Sequence, residues 1–323
     1  TFLFHPTFSR FSTIYHKNSA RTIQTAPLCV PPYSVQDTWN GISFCSGAML
    51  PSKKQVDFSP PCVIIKQYVS HPYFDKGKRV FMNAALIFAG GTGTRMNIKT
   101  MPKQFLPLHG KPIILYTLEQ FEYHPDIDVI VVVCIASWID HLKLLLKKNN
   151  FTKVHWVVPG GSSGQESICN GLKALHEHCP EDTIVLVHDG VRPLVNAQVI
   201  TDNIACVQAH GNAITTSSAI ETIMMMDESD GDNTIQQIIP RQRCAMARAP
   251  QSCRLGDLYG AHCRAISEGR GDFIDSASMM MEYGHTLYTV TGPAENIKIT
   301  TPSDYYMFKS FVEAQENKQI FGY

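Results

Sequence analysis

From Met82 onward, short apolar runs alternate with stretches whose apolar residues return every three or four positions, the two periodicities of buried strands and one-sided helices. "NAALIFAGG" predicts a strand entering a glycine turn, and "GKPIILYTLEQFEYH" predicts a helix with Ile114, Leu118 and Phe121 on one face. "DVIVVVCI" is a second buried strand, "WIDHLKLLLKKN" an amphipathic helix, and "VHWVVPGG" a third strand. The helix "QESICNGLKALHEH", the strand "TIVLVHDGVRP" and the helix "NAQVITDNIACVQAHG", closed by Gly211, continue the alternation. Strands separated by helical segments imply an α/β fold on a mainly parallel sheet.

The alternation breaks between about 214 and 248. There "AIETIMMM" and "TIQQIIP" flank the acidic turn "DESDGDN", a pattern that predicts a β-hairpin protruding as an arm, with dimerisation as its candidate role. Beyond it come a helix around "LGDLYGAHCRAISEG", a short helix capped by Asp275 and ended by Gly284, and the strand "TLYTVTG". A final helix follows Thr301, Pro302 and Asp304, which supply a cap, a preset φ and an acid in the first turn.

Residues 1 to 81 lack this texture. They carry Pro, Ser and aromatic residues without sustained period, and the first 36 hold Arg10, Lys17 and Arg21 but no acid. Three readings compete: a targeting segment, a disordered extension, or upstream sequence included by a mis-assigned start, the last favoured because Met82 opens the first strand directly. The expected division is therefore a leader over 1–81 and one catalytic domain over 82–323.

Composition narrows the function classes. Lys and Arg together number 28, as do Asp and Glu, so whole-surface attraction to nucleic acid is disfavoured and a small partner is expected. Ten cysteines without a C-x-x-C pair read as scattered thiols of a reducing cytoplasm, and no apolar run approaches the roughly 20 residues of a membrane span.

Chemistry enters at "FAGGTGTRM", followed by "MPKQFL". A Walker loop would need Lys-Ser or Lys-Thr after its glycines, and a dinucleotide fingerprint would need a glycine where Met96 stands; both readings fail. A loop whose amides wrap a triphosphate remains, with Arg95 and Lys103 as charge-assisted donors. "VHDGVRP" places Asp189 and Arg192 at the carboxyl end of a buried strand, where open α/β sheets bind ligands and where an acid can hold Mg²⁺. "ENIKITTP" places Lys298 in what reads as a short apolar strand, a costly position for a cation unless an anion meets it. Neither Lys103 nor Asp189 is expected in the core.

The stretches "AGGTGTRM…MPKQFLPLHGKPIILYTLEQF", "PGGSSGQESICNGLKAL", "VHDGVRPLV", "RAPQS" and "ENIKITTPSD" resemble, in the same order, the cytidylyltransferases that act on polyol phosphates. That family includes the 2-C-methyl-D-erythritol 4-phosphate enzymes of isoprenoid synthesis and the ribitol-5-phosphate enzymes of teichoic-acid and capsule synthesis. The resemblance covers 82 to about 310. It implies a Rossmann-like sheet of the nucleotide-diphospho-sugar transferase type, an arm that interlocks two subunits, and Mg²⁺-dependent attack of a polyol phosphate on the α-phosphorus of CTP. It further implies catalytic roles for Arg95, Lys103 and Lys298, CTP contacts from Ala89, Gly90, Gly91, Gly160 and Ser167, acceptor contacts from Arg192, Thr222 and Arg241, and a metal on Asp189.

This sequence departs from the family where Ser163-Gly164 replaces a usual arginine, where Ala249 replaces the threonine of a T-P-Q triplet, and where Glu295 replaces the isoprenoid enzymes' aspartate. Ala249 lacks a hydroxyl that could bind the acceptor phosphate. "WIDHLKLLLKK" and "NIKITTPSD" look closer to the ribitol-phosphate branch, which makes D-ribitol 5-phosphate the expected acceptor and methylerythritol phosphate the alternative. A sugar-1-phosphate nucleotidyltransferase and a non-catalytic dimeric scaffold of the same fold stay open beside them.

Overall fold

The computed structural model describes residues 82–91, 101–227 and 234–322; the leader and Arg95 lie outside them. Within this range the chain runs β1 (Asn83–Ala89), β2 (Pro107–Leu108), β3 (Lys111–Pro112), α1 (Ile113–Glu122), β4 (Val129–Cys134), α2 (Ile139–Lys148), β5 (Val154–Pro159), α3 (Gly164–His176) and β6 (Ile184–Asp189). It continues through α4 (Ala197–His210), β7 (Asn212–Ser218), β8 (Ile223–Met226), β9 (Ile235–Ile239), β10 (Ala245–Arg254), α5 (Leu255–Ser267), α6 (Ser276–Glu282), β11 (Thr289–Thr291) and α7 (Pro302–Phe321).

Seven strands form one sheet in the order β11-β7-β10-β6-β1-β4-β5. β10 alone is antiparallel to its neighbours, so the carboxyl ends of the other six point to one edge. β1 lies between β4 and β6: the chain steps outward through β4 to β5, then returns to the other side of β1. Such a reversal opens a crevice at the carboxyl edge, where ligands of α/β sheets bind.

The period-two pattern explains the layers. In β1, Ala85, Ile87 and Ala89 face a core shared with α1, α2 and α4, whereas Ala84 and Leu86 face a second core shared with α3, α5 and α6. Both faces are covered, which is why β1, β4 and β6 are almost wholly apolar rather than alternating. A third cluster joins Phe308 and Val312 of α7 to Leu108, Ile113, Val191 and Ile299, fixing the chain's end beside the segments that follow β1 and β6.

Helix ends follow the expected chemistry. Asp275 and Thr301 each complete a capping box, and Gly211 closes α4 at a φ of 89° in the left-handed region. Two expectations shift. The helix expected from Gly110 begins at Ile113, because Lys111–Pro112 pairs back onto Pro107–Leu108. "ENIKITTP" is no strand: β11 ends at Thr291, and the following residues cross the sheet's carboxyl edge, where Ile299 N–H donates to Val191 O at 2.9 Å. The apolar alternation there serves packing, since Ile299 is fully buried without a ladder. Among the described residues no helix is long and apolar enough to cross a membrane.

His262 in α5 is 1% exposed, and burial lowers its pKa to about 4. Neutral when folded and free to ionise when unfolded, it makes stability fall as pH drops from about 6.5 toward 4, because the unfolded chain binds the extra proton. The loss attributable to this ring by pH 4 is about 3 kcal/mol. Urea unfolding of His262→Leu between pH 7 and 4.5 should show a shallower decline than the parent, whose remaining slope reflects the other buried groups; equal slopes would refute the assignment.

Candidate active site

The carboxyl edge is assembled around the end of β1. Ala89 is buried, Gly90 is half-buried and Gly91 is exposed. A Cβ on Gly160, just past β5, would lie 3.1 Å from Gly90 Cα and 3.2 Å from Ser167 Oγ. The two turns therefore meet backbone to backbone, a separation that side chains at these positions would prevent. Ser167 at the start of α3 locks the contact: its hydroxyl accepts from Gly161 N–H at 3.0 Å and donates to Ser163 O at 2.8 Å. Ser167, expected to contact CTP, is only 4% exposed and holds the 160–163 turn.

Lys103 opens a short helical turn over 103–105, pinned to β1 by the next residue. Gln104, 1% exposed, donates through Nε2 to Ala89 O at 2.6 Å and to Gly91 O at 3.3 Å. Lys103 Nζ in turn donates to Ile299 O at 3.0 Å, bringing it beside the segment that carries Lys298. Thr300, Thr301 and Asp304 hold that segment in place, with Asp304 Oδ2 accepting from Thr300 N–H at 2.8 Å and Thr301 N–H at 2.7 Å.

Asp189, the last residue of β6, is the electrostatic centre. Its Oδ1 lies 2.6 Å from Lys298 Nζ and its Oδ2 accepts from Arg192 Nε at 3.2 Å. Burial alone would push its carboxyl pKa up, but Lys298 and Arg192 together outweigh that and hold it below the ordinary carboxylate value. At 4% exposure Asp189 belongs to the core and not to a surface turn, contrary to expectation, because β6 delivers it before the chain leaves the sheet. His188 before it is neutral: burial lowers its pKa to about 4, and its Nε2 donates to Arg192 O at 3.0 Å.

Arg192, expected to contact the acceptor, is engaged within the edge. Its side chain is buried, with Nε on Asp189 and Nη1 donating to Asn296 O at 2.7 Å, so it braces the edge. Thr222 and Arg241 are exposed beside the two-stranded β8–β9 arm, with Arg241 Nη1 donating to Ile220 O at 2.9 Å. The structure thus brings Ala89, Gly90, Gly160 and Ser167 together on one side and Lys103, Asp189, Arg192 and Lys298 on the other.

Gln104 and Asn296 escaped the sequence reading. Asn296 is fully buried and donates through Nδ2 to Ala249 O at 2.7 Å. Both stand inside the motifs quoted above, but as polar residues among apolar ones they carry no local signal of their distant partners. No group of three His, Cys, Asp or Glu side chains gathers as a metal cage among the described residues.

A Rossmann-like sheet whose carboxyl edge gathers cations beside a glycine turn defines a phosphate-handling site. The profile of the 2-C-methyl-D-erythritol 4-phosphate cytidylyltransferase (IspD) family matches residues 83–314. A ribitol-5-phosphate cytidylyltransferase of Vibrio parahaemolyticus is 48% identical over 241 residues, which is 75% of this chain and 100% of that protein. A 2-C-methyl-D-erythritol 4-phosphate cytidylyltransferase of Clostridium acetobutylicum is 35% identical over 233 residues, covering 72% of this chain and 98% of that one. The crystal structure of the 4-diphosphocytidyl-2C-methyl-D-erythritol synthase from Anaerococcus prevotii has the same fold, with a TM-score of 0.62 at 23% identity over 72% of this chain and 99% of that one. The chain belongs to the 2-C-methyl-D-erythritol 4-phosphate cytidylyltransferase family and is a nucleotidyltransferase of the cytidylyltransferase class.

The Gly90–Gly160 contact gives a test of this construction. Gly160→Ala should destabilise the fold by about 1–3 kcal/mol, since the atom it meets is backbone and cannot swing aside. Unchanged denaturant midpoints would show that the two turns separate freely.

Proposed function

We propose that this enzyme transfers a cytidylyl group from CTP to D-ribitol 5-phosphate, giving CDP-ribitol and pyrophosphate for a surface polymer. The observation that carries the choice of acceptor is the higher identity to the ribitol-phosphate enzyme, over its whole length, than to the methylerythritol-phosphate relative. In the reaction an acceptor phosphate oxygen attacks the α-phosphorus, and the bond from that phosphorus to the bridging oxygen breaks. Pyrophosphate leaves with the electron pair. Nucleophile and leaving group are both anionic, so the protein's task is alignment and charge neutralisation.

Lys103 and Lys298 suit that task. Both ammonium groups sit at the carboxyl edge, half-buried, and each is held by a contact that a phosphate oxygen can replace. Arg95 is proposed to join them from the loop after β1, and the amides of residues 89–91 to meet the nucleotide. Asp189 is proposed as the carboxylate that would hold magnesium, an ion that takes one or two carboxylate oxygens plus substrate phosphates; Lys298 would have to leave Oδ1 for the ion to bind there. When bound there, the ion would supply further neutralisation of phosphate charge.

The arm supports a homodimer. Met224, Met225 and Met226 are 46%, 45% and 48% exposed, and Ile235 and Ile238 are 52% and 60% exposed, more apolar surface than a two-stranded ribbon leaves to water without a partner. Thr222 and Arg241 would then reach an acceptor across the interface. The free thiols among the described residues support a cytoplasmic location.

Lys103→Ala should lower kcat by about 10²-fold at saturating CTP and Mg²⁺ while leaving the fold intact, since Lys103 sits on an outer turn. Near-normal turnover would remove Lys103 from the mechanism. For the acceptor, kcat/KM measured by pyrophosphate release should be greater for D-ribitol 5-phosphate than for 2-C-methyl-D-erythritol 4-phosphate, because pocket groups built to bond each hydroxyl are left unpaired by an analogue lacking one. The reverse order would assign the chain to the isoprenoid branch, and preference for a sugar 1-phosphate would overturn the polyol reading altogether.

A further inference from the structure

β10 runs antiparallel to β6, with Gln251 opposite Val187, so the preceding residues of β10 reach the carboxyl edge where Asp189 ends its strand. Pairing of β10 with β7 is interrupted between Ala247 and Gln251. The interruption lifts residues 248–250 out of the ladder, and their carbonyls are caught instead by side chains. Asn296 Nδ2 holds Ala249 O at 2.7 Å, and Thr215 Oγ1 holds Pro250 O at 2.7 Å. Asn203 Nδ2 donates to the Thr215 hydroxyl at 2.9 Å and Asn203 Oδ1 accepts from Ser252 Oγ at 2.9 Å, so the bulge rests on a buried hydrogen-bonded network.

This bulge carries Arg248. Its Nε donates to Ser217 Oγ at 2.9 Å, near the carboxyl end of β7. Among the described residues no carboxylate pairs with Arg248, and no acceptor meets its Nη groups. Asp189 is already shared by Lys298 and Arg192. Arg192 is close enough to Arg248 for their like charges to act on one another, and burial together with that repulsion lowers the Arg248 pKa. Holding a second guanidinium there without a counter-ion is unfavourable, and a bound dianion would relieve it. A guanidinium whose Nε is anchored presents its two Nη groups as a fork, the geometry that matches phosphate.

We propose that Arg248, positioned by Ser217 and the 248–250 bulge, binds the phosphate of the acceptor and contributes to acceptor selection. The inference rests on the cytidylyl-transfer reading and deepens it. It also accounts for a departure noted in the sequence: with Ala249 in place of a threonine, the donor for the acceptor phosphate comes from the neighbouring residue. Arg192 does not fill this role, since its Nε and Nη1 are turned to Asp189 and Asn296.

The test uses the full chain, Arg248→Gln and Arg248→Lys, assayed with CTP and with both D-ribitol 5-phosphate and 2-C-methyl-D-erythritol 4-phosphate. In Arg248→Gln the acceptor KM should rise at least about tenfold while the KM for CTP stays within about twofold, the signature of a lost acceptor contact. Arg248→Lys should recover part of the loss. With CTP saturating, inorganic phosphate should inhibit competitively with the acceptor, and its Ki should rise alongside the acceptor KM in Arg248→Gln. An unchanged acceptor KM and phosphate Ki would overturn the proposal, as would parallel rises in the CTP and acceptor KM, which would mark Arg248 as structural. A parent enzyme that uses only methylerythritol phosphate would sink the ribitol reading alone, and the Arg248 comparison would then be decided on that acceptor.

Discussion

A buried carboxylate between two cations organises the carboxyl edge of this protein. Removing Asp189 from water is unfavourable, and the ion pairs with Lys298 and Arg192 offset that cost only if both cations stay close. Each cation draws in a different part of the chain. Lys298 brings the segment after β11 across the sheet edge, and Arg192 holds the same segment through Asn296 O. The 292–300 stretch is therefore stapled over the ends of the strands without joining the sheet. An isolated Asp at this depth would take up a proton, and the edge would lose its means of holding cations ready for phosphate.

The nucleotide side depends on a different constraint, absence of side chains. Gly90 and Gly160 approach each other so closely that the ends of β1 and β5 form one surface, and Ser167 locks the contact from beneath. Gln104 then ties the lysine-bearing turn to the carbonyls of the glycine turn. Lys103 is thus fixed relative to the glycine turn through the Gln104 bonds to Ala89 O and Gly91 O.

The sequence carried the layers clearly because β1, β4 and β6 are almost wholly apolar and the helices repeat at three and four residues. Charged residues in the glycine turn and after β6 were legible as candidates because cations and acids at strand ends are unusual in a core. What stayed hidden is long-range. "NIKIT" has the alternation of a strand, but Ile299 packs on Phe308 and Val191 across the sheet end, where no neighbouring strand exists to pair with it. Asp189 reads as a strand-end acid outside the core, since nothing local reveals that Lys298, more than a hundred residues later, will neutralise it in the interior. Arg192 was legible as a site residue but not as a brace, because its partner Asn296 is equally remote.

The two halves of the edge are held by different chemistry. The glycine half relies on close backbone approach, where a Cβ on Gly160 would lie 3.1 Å from Gly90 Cα. Opposite it, the 248–250 bulge is held mainly through its carbonyls, by Asn296 and Thr215, with Arg248 Nε on Ser217 Oγ as a further tie. Substitution of the displayed side chains leaves those carbonyl bonds in place. Ala249 illustrates the point: the hydroxyl usual in the family is absent, yet the Ala249 carbonyl still receives Asn296 and the bulge keeps its form. A scaffold fixed mainly by main-chain acceptors keeps its form largely independent of the side chains at 248 and 249, whereas the rest of the edge is fixed by the ion pairs at Asp189 and by the glycine contact.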